Sequence, residues 1–470
     1  MAKIHSMMDI GKRTMMNSQT ALQTAGHNIA NKTTEGYSRQ RVELVQAQPI
    51  GEGRLQMGMG ARAAMVTRVN NPFLDKQLQK ETGTMGFLDG RAEALSRVEQ
   101  VFNEQMNKGL NQYVSDFFNA FRELSNNPES VTTRTMVKEA AEALTTDFER
   151  VHNQLEGVQK EVDMQITHTV EEINKMSKEV ASLNEKIAAV EMQGVPANDE
   201  RDRRETLIKK MMEKVDIKVA EGNTGMVSIS TAGNAVLVSG LESMELTARH
   251  THGTERMQIF YRTSSTTPDF NITDRVKGGT LGGALVVRDQ IVPDLKQKVD
   301  NMAYTIANEV NKVHIHAYDK NGKVGNLFFD RLDGVEDAAK YIVVSDDILN
   351  DVTKISTAAK PNAPGDNTAA NVISMLQYKE IMDEGSSTID DYYNSQVGRI
   401  GVMANRANKA KESQANILQQ ISTIRESVSG VSLDEEATKM IEYQKAFDAS
   451  ARLIRTADEM FDTVLSLKRM

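Results

Sequence analysis

The first thirty residues carry one narrow stripe of apolar or small side chains: Ile4, Met8, Gly11, Met15, Ser18, Leu22, Ala25 and Ile29. The spacing alternates between four and three. That is a heptad seam, and it predicts one amphipathic helix. The seam ends in "HNIANKTTEGYSRQ", His27 to Gln40, where Asn31, Thr33, Thr34 and Gly36 favour a turn. The other end mirrors it. Leu433, Ala437, Met440, Gln444, Phe447, Ala451, Ile454, Asp458, Phe461 and Leu465 follow the same spacing, with Gln444 and Asp458 as polar interruptions. Neither helix has a sequence-local partner, and a lone amphipathic helix does not hold its shape in water. The two stripes therefore pair with each other, pair with another chain, or stay disordered.

Between the ends the pattern predicts a helical body. Leu95, Val98 and Phe102 begin one helix; Leu110, Val114, Phe117, Phe121 and Leu124 form a second, ended by Pro128 in "SNNPES". A long helix follows from about Thr135 to Met192. Its seam runs through Leu144, Phe148, Val151, Leu155, Val158, Val162, Ile166, Thr169, Ile173, Met176, Val180, Leu183, Ile187 and Val190. The two successive four-residue steps from Val158 to Ile166 are a stutter, which unwinds a supercoil locally. At about Val215 the period changes to two, and alternation between Gly and Asn turns continues to about Gly283, predicting a small antiparallel β-domain. A helix resumes near Pro293 and runs to about His314. Residues 320–355 are mixed, with a strand-like "YIVVS"; "KPNAPGDN" is a loop, and helices fill the rest from Thr368.

The fold class expected is mainly α with an inserted β-domain, a multidomain α+β chain with a long helical coiled-coil or bundle body. The expected division is a terminal-helix core of 1–45 and 431–470, disordered in the free monomer. A helical bundle takes 46–214, 284–330 and 356–430, a β-domain 215–283, and a short mixed excursion 331–355.

Composition narrows the function. The 470 residues suffice for about three domains. A formal charge of −9, with no basic stripe interleaved with aromatics, excludes a nucleic-acid partner. No apolar run approaches the ~20 residues of a membrane span, and "MAKIHSMMDIGKR" lacks the apolar core of a cleaved secretory signal. With no cysteine there is neither disulfide nor thiol chemistry. "HIHAYDKNG", His314 to Gly322, copies only the start of a calcium loop and lacks its terminal Glu, so it reads as a helix end and turn. His250 and His252 fall in a polar loop. "GGTLGGALVVRD" lacks the Lys-Ser/Thr of a phosphate loop, so its glycines serve tight turns and close packing. The basic stretch from Arg201 to Lys210 reads as a solvated helix face. No catalytic residue, cofactor site or metal site is expected, and the chain is not expected to be an enzyme.

The "HNIANKTTEGYSRQ" elbow resembles the Asn-rich signature closing the N-terminal helix of bacterial flagellar axial proteins, the rod, hook and hook-associated proteins. "VSLDEEATKMIEYQKAFDASARLIRTADEMFDTVLSL" resembles the partner helix of that family. "LSRVEQVFNE", "LNQYVSDFFNAFRELSNNPES", "GGTLGGALVVRDQIVPDL" and "VNKVHIHAYDKNGKVGNLFF" are similar to its hook-associated members at the hook–filament junction. The likeness covers both ends and most of the helical body, and is weak at 215–283 and 330–365. His27 and Lys32 stand where the family more often has Asn and a small residue, and Ala317 where it usually has Gly.

The resemblance implies a structural adaptor of the bacterial flagellum that links hook to filament by helical assembly. It implies export through the type III apparatus without a cleaved signal, and an extracellular place at the junction. Implied partners are hook protein, the next junction protein, copies of itself in a ring, and an export chaperone on the C-terminal region; nucleic acid and membrane insertion are not implied. The expected assembly interface is Ile4, Leu22, Asn28, Asn31, Gly36, Tyr37, Phe447, Ala451, Ile454 and Phe461. The alternatives are another flagellar axial protein, such as a hook protein, and a coiled-coil signalling protein.

Overall fold

The computed structural model describes residues 2–52, 55–102, 108–222, 224–251, 254–262 and 269–468. Helix α1 (Ala2–Ala30) leads through the elbow into a hairpin. There β1 (Gln40–Gln46) pairs antiparallel with β4 (Ala61–Arg68), and β2 (Ile50–Glu52) with β3 (Leu55–Met57) inside it. These strands correct the expectation that helical bundle begins at 46. The pattern is obscured because a bulge between Glu43 and Leu44 breaks the alternation. Leu44 and Val45 are both left exposed.

Helix α2 (Pro72–Val101) starts with proline at its first position, behind Asn71, whose side chain accepts from the Phe73 and Leu74 amides. Helices α3 (Leu110–Asn126) and α4 (Val131–Glu191) follow, the second capped by Ser130. The 61 residues of α4 make a rod of about 90 Å at ~1.5 Å per residue. Its predicted seam is buried from Leu144 to Ile187, with Met176 partly covered, but so are Ala141, His152, Gln159, Asp163, Val170, Ser177 and Asn184. The covered face is wider than a two-helix seam because α4 is packed in turn by α3, by later helices, by the β-domain and by α5 (Asn198–Lys214).

On α5 the structure corrects the reading of a solvated face. Asp202 and Arg204 are buried, and Arg204 donates to Asn184 Oδ1 and to the Gly225 carbonyl. Arg201 pairs with Glu191 and Glu221. Charged residues read as solvent-facing when the acceptors that bury them lie outside their own segment.

The β-domain holds a sheet of β5 (Ile217–Glu221), β6 (Val227–Thr231), β7 (Ala235–Ser239) and β8 (Glu242–Ser243) in sequential order. A second sheet runs β11-β10-β9, from β9 (Leu246–Thr251), β10 (Thr254–Tyr261) and β11 (Phe270–Asn271). Two asparagines of α4 fasten both sheets. Asn184 donates to the Val227 and Gly240 carbonyls and accepts from the Val227 amide; Asn174 makes both bonds to the Leu246 backbone. Each satisfies strand-edge groups that burial would otherwise leave unpaired.

Helix α6 (Gly279–Val286) passes through a π-helical turn, Val287–Ile291, into α7 (Val292–His314). A Cβ on Gly283 would stand 2.2 Å from the Phe87 carbonyl oxygen, so α6 lies backbone to backbone on α2. Within the π turn, buried Arg288 donates to Asp163 Oδ1 at 2.6 Å and to the Met257 carbonyl at 2.7 Å, tying α4 to β10.

Short helices α8 (Ala338–Tyr341), α9 (Asp346–Asn350) and α10 (Thr368–Met375) occupy the mixed stretch and its exit. The strand-like "YIVVS" amounts to one isolated bridge, Val344 to Phe329: Ile342 and Val344 face the core, but no strand lies alongside. Phe117, Phe121, Phe328 and Phe329 cluster in edge-to-face and tilted pairs, with the Phe328–Phe329 centroids 4.9 Å apart. Helix α11 (Ile389–Ser429) lies along α2, and after a short turn α12 (Leu433–Lys468) returns along α1.

Candidate functional site

The two terminal helices meet each other, antiparallel. His5 stacks with Phe461 at 5.4 Å between ring centroids, Gly11 faces Ile454, and Asn28 bonds Glu436. A Cβ at Gly11 would lie 2.7 Å from Ile454 Cγ1, so the glycine leaves the room on α1 that the Ile454 side chain fills. Apart from the Asn28–Glu436 contact, the buried residues of the two helices are small: Ser18, Ala21, Thr24 and Ala25 on α1, which also packs on β1 and β4, and Ser450 and Ala457 on α12. The expected interface residues Ile4, Leu22, Phe447, Ala451, Ile454 and Phe461 are only partly covered. Met16, Leu433, Ile441, Met460, Val464 and Leu465 are exposed. The pair is thus sealed by small side chains and keeps apolar surface outside.

At its inner end the pair is locked to the body by a polar hub. Asn28 is 1% exposed and uses both ends of its amide. Its Nδ2 donates to the Gln40 carbonyl at 2.9 Å and to Glu436 Oε2 at 3.0 Å; its Oδ1 accepts from the Gln40 amide at 2.9 Å and from Tyr37 Oη at 2.7 Å. Because Gln40 N–H can only donate and its carbonyl only accept, these contacts fix the orientation of the Asn28 amide. Asn31 closes the helix by donating to the His27 carbonyl. Gly36 turns the elbow at φ +81°, where a Cβ would lie 2.0 Å from Thr206 Oγ1 of α5. His27 Nδ1 lies 3.0 Å from Tyr37 Oη.

The hub extends outward through charges. The buried Ser38 amide donates to Asp202, which also receives Arg68; Arg68 reaches Glu205 as well. Gln40 Nε2 donates to Asp199, Arg425 of α11 pairs with Asp75 of α2, and Arg39 pairs with Glu435 of α12. Burial, together with Asp199, Asp202 and Glu436, pushes the Tyr37 phenol above its ordinary range. Burial raises Asp202 despite the opposing pull of Arg68, and raises Asp75 with a further contribution from Glu205.

Of the residues expected from sequence, Asn28, Asn31, Gly36 and Tyr37 thus gather at the elbow, and Ile454 and Phe461 face α1. Gln40, Asp199, Asp202 and Glu436 were missed, because their partners lie between 12 and 408 residues away. In "HIHAYDKNG", buried His314 contacts the Asn326 carbonyl through Nδ1 and accepts the Ser356 amide at Nε2, so neither nitrogen is open to an ion. Asp319 Oδ1 accepts the Asn321 and Lys323 amides and closes the turn. Ala317 is not among the described residues with left-handed backbone, so alanine fits there. His250 is exposed on β9, and His252 lies outside the described residues.

Comparison with known proteins places this geometry. The family described as "Flagellar hook-associated protein FlgK helical domain" matches residues 95–329, and "Flagellar basal body rod FlgEFG protein C-terminal" matches 425–467. "Flagellar hook-associated protein 1" of Bacillus subtilis (strain 168) is 30% identical over 98% of this chain and 97% of that protein. The chain belongs to the flagellar hook-associated protein 1 family. The Escherichia coli (strain K12) protein of the same name is 24% identical over 96% of this chain and 97% of its own length. The fold is shared with the flagellar hook junction protein FlgK from Burkholderia pseudomallei: TM-score 0.69 and 14% identity, over 75% of this chain and all of that one. As a family member, the chain is a structural, non-enzymatic component of the flagellar axial structure, outside the cell at the hook–filament junction. No described helix is long and apolar enough to cross a membrane.

Proposed function

We propose that the chain joins hook to filament as a ring of identical subunits. The α1–α12 pairs form the inner wall, and the hub transmits their position to the outer body. The observation that carries this reading is a pair sealed by Gly11, Ser18, Ala21, Ala25, Ser450 and Ala457 while larger side chains stay partly or wholly uncovered. A neighbouring subunit supplies the missing cover, and a head-to-tail contact of this kind passes from subunit to subunit around the ring instead of being used up within a dimer. Hook protein meets one face of the ring and the next junction protein the other; an export chaperone covers the C-terminal region before assembly. Residues 1–45 and 431–470 form the assembly core, with Ile4, Leu22, Asn28, Asn31, Gly36, Tyr37, Phe447, Ala451, Ile454 and Phe461 at its contacts. Residues 46–214, 284–330 and 356–430 form the body, 215–283 the β-domain and 331–355 the excursion. In the free monomer the helices beyond the hub open, because small side chains bury little apolar area.

Ile454→Asp tests this. In the assembled wall an unpaired carboxylate at this position costs several kcal/mol; in the free chain it is solvated. The expected result is normal export and normal melting of the body, without stable retention on hooks. A body melting many degrees lower, or normal retention on hooks, overturns the reading.

A further inference from the structure

We propose a head-to-tail contact between neighbouring copies of this chain, in which Phe73 of one copy fills a cleft beside the elbow of the next. The contact rests on the ring assigned above and names two surfaces that meet in it. Phe73 is 74% exposed, the most exposed aromatic side chain among the described residues. It does not sit on a loose loop. It stands on the first turn of α2, where the Asn71 side chain accepts its amide at 3.1 Å and Pro72 fixes the backbone before it. An aromatic ring held this firmly is a good anchor for an interface, because it loses little freedom when it is covered. Lys76 and Lys80 follow three and seven positions later, on the same face of the helix. Both are exposed, and among the described residues neither is ion-paired.

The cleft has the complementary character. It holds about 690 Å³ between α1, β4 and the turn from α4 into α5. Ala64 and Met65 of β4 and Val195 and Pro196 of the turn form its apolar wall, and Met65 and Val195 are left exposed there. Asp199 and Glu200, at the start of α5, make its rim acidic. Asp199 faces His27 at 3.6 Å; among the described residues Glu200 has no ion pair. An apolar ring flanked by two unpaired cations thus matches an apolar cleft flanked by two carboxylates. The two surfaces share no residue, and both lie at the level of the elbow, since β4 walls the cleft and runs into α2 within a few residues. A contact between unlike patches passes from each copy to the next and can close a ring, whereas a contact between like patches ends in a dimer.

The native chain has no cysteine, so introduced thiols are read without background. Phe73→Cys and Val195→Cys put one thiol on each surface, both at exposed positions. Full-length chain carrying both replaces the native protein in cells, and hooks isolated from them are treated with copper phenanthroline and run without reductant. The expected result is a ladder of covalent multimers, with each single variant staying at monomer mass. Dimers from Phe73→Cys alone would show a like-to-like contact and overturn the proposal. No ladder from chains that are retained on hooks overturns this contact and leaves the ring standing; wild-type chain absent from hooks overturns the ring and the contact with it. A second measurement keeps the aromatic ring. Lys76→Glu should lower the chain retained per hook at least threefold with the melting temperature unchanged, and Glu200→Lys in the same chain should restore it. Undiminished retention in Lys76→Glu, or no recovery in the double variant, overturns the pairing of these two surfaces.

Discussion

Asn28→Asp perturbs the hub at one atom. The retained oxygen still accepts from the Gln40 amide and Tyr37 Oη, but the new oxygen replaces a donor. It faces the Gln40 carbonyl at about the former 2.9 Å and Glu436 Oε2 at the former 3.0 Å. Two donated bonds are lost: a neutral one worth about 1 kcal/mol and one to a carboxylate worth about 2 kcal/mol. Two like charges are also brought together, and Glu436 is itself buried, with Lys439 on its other oxygen as partial compensation. The cost is about 3 kcal/mol or slightly more, a factor of roughly a hundred in local opening. Hydrogen exchange of a peptide spanning the Gln40 amide at neutral pH reads this directly, and protection should fall by about two orders of magnitude. Glu436→Gln in the same chain supplies an amide that can donate to the new carboxylate and should return most of the protection, whereas Glu436→Gln alone should change it little. Protection lowered less than fivefold by Asn28→Asp, or no recovery in the double variant, refutes the hub as the lock between the terminal pair and the body.

Brief proteolysis in dilute solution should trim about thirty residues from each end and stop at the hub, because unprotected termini are cut first; a resistant full-length chain speaks against open ends. His314 gives a pH signature. Burial lowers its pKa from 6.5 to about 4, so the unfolded chain takes up the proton first as pH falls. Its contribution is complete above about pH 6.5 and declines towards pH 4, by up to about 3 kcal/mol. Urea unfolding between pH 7 and 4.5 should show a steeper loss for wild type than for His314→Gln, and equal slopes would contradict the assignment.

How much of this was legible depended on how local the interaction is. The long rod and the β-domain's period-two pattern were readable because burial on one face repeats within a few residues. The terminal helices were readable as helices for the same reason, but the rotation of α12 was not. Glu436, Ser450 and Ala457 are buried against α1, whereas the sequence seam ran through Leu433, Ala437, Gln444 and Asp458, which are exposed. Small residues make a close helix pair without making a hydrophobic stripe. The β1–β4 hairpin was hidden by its bulge, and the hub by distance along the chain. Asn28 was expected at the interface, but nothing near it in sequence pointed to Glu436 or to the carboxylates of α5.

The central claim is tested most directly by electron microscopy of cells from which this protein has been deleted, beside cells complemented with it. The account predicts hooks of normal length without filaments, filament protein shed into the medium, and filaments restored by complementation. Deleted cells that still carry filaments firmly attached to their hooks would contradict it.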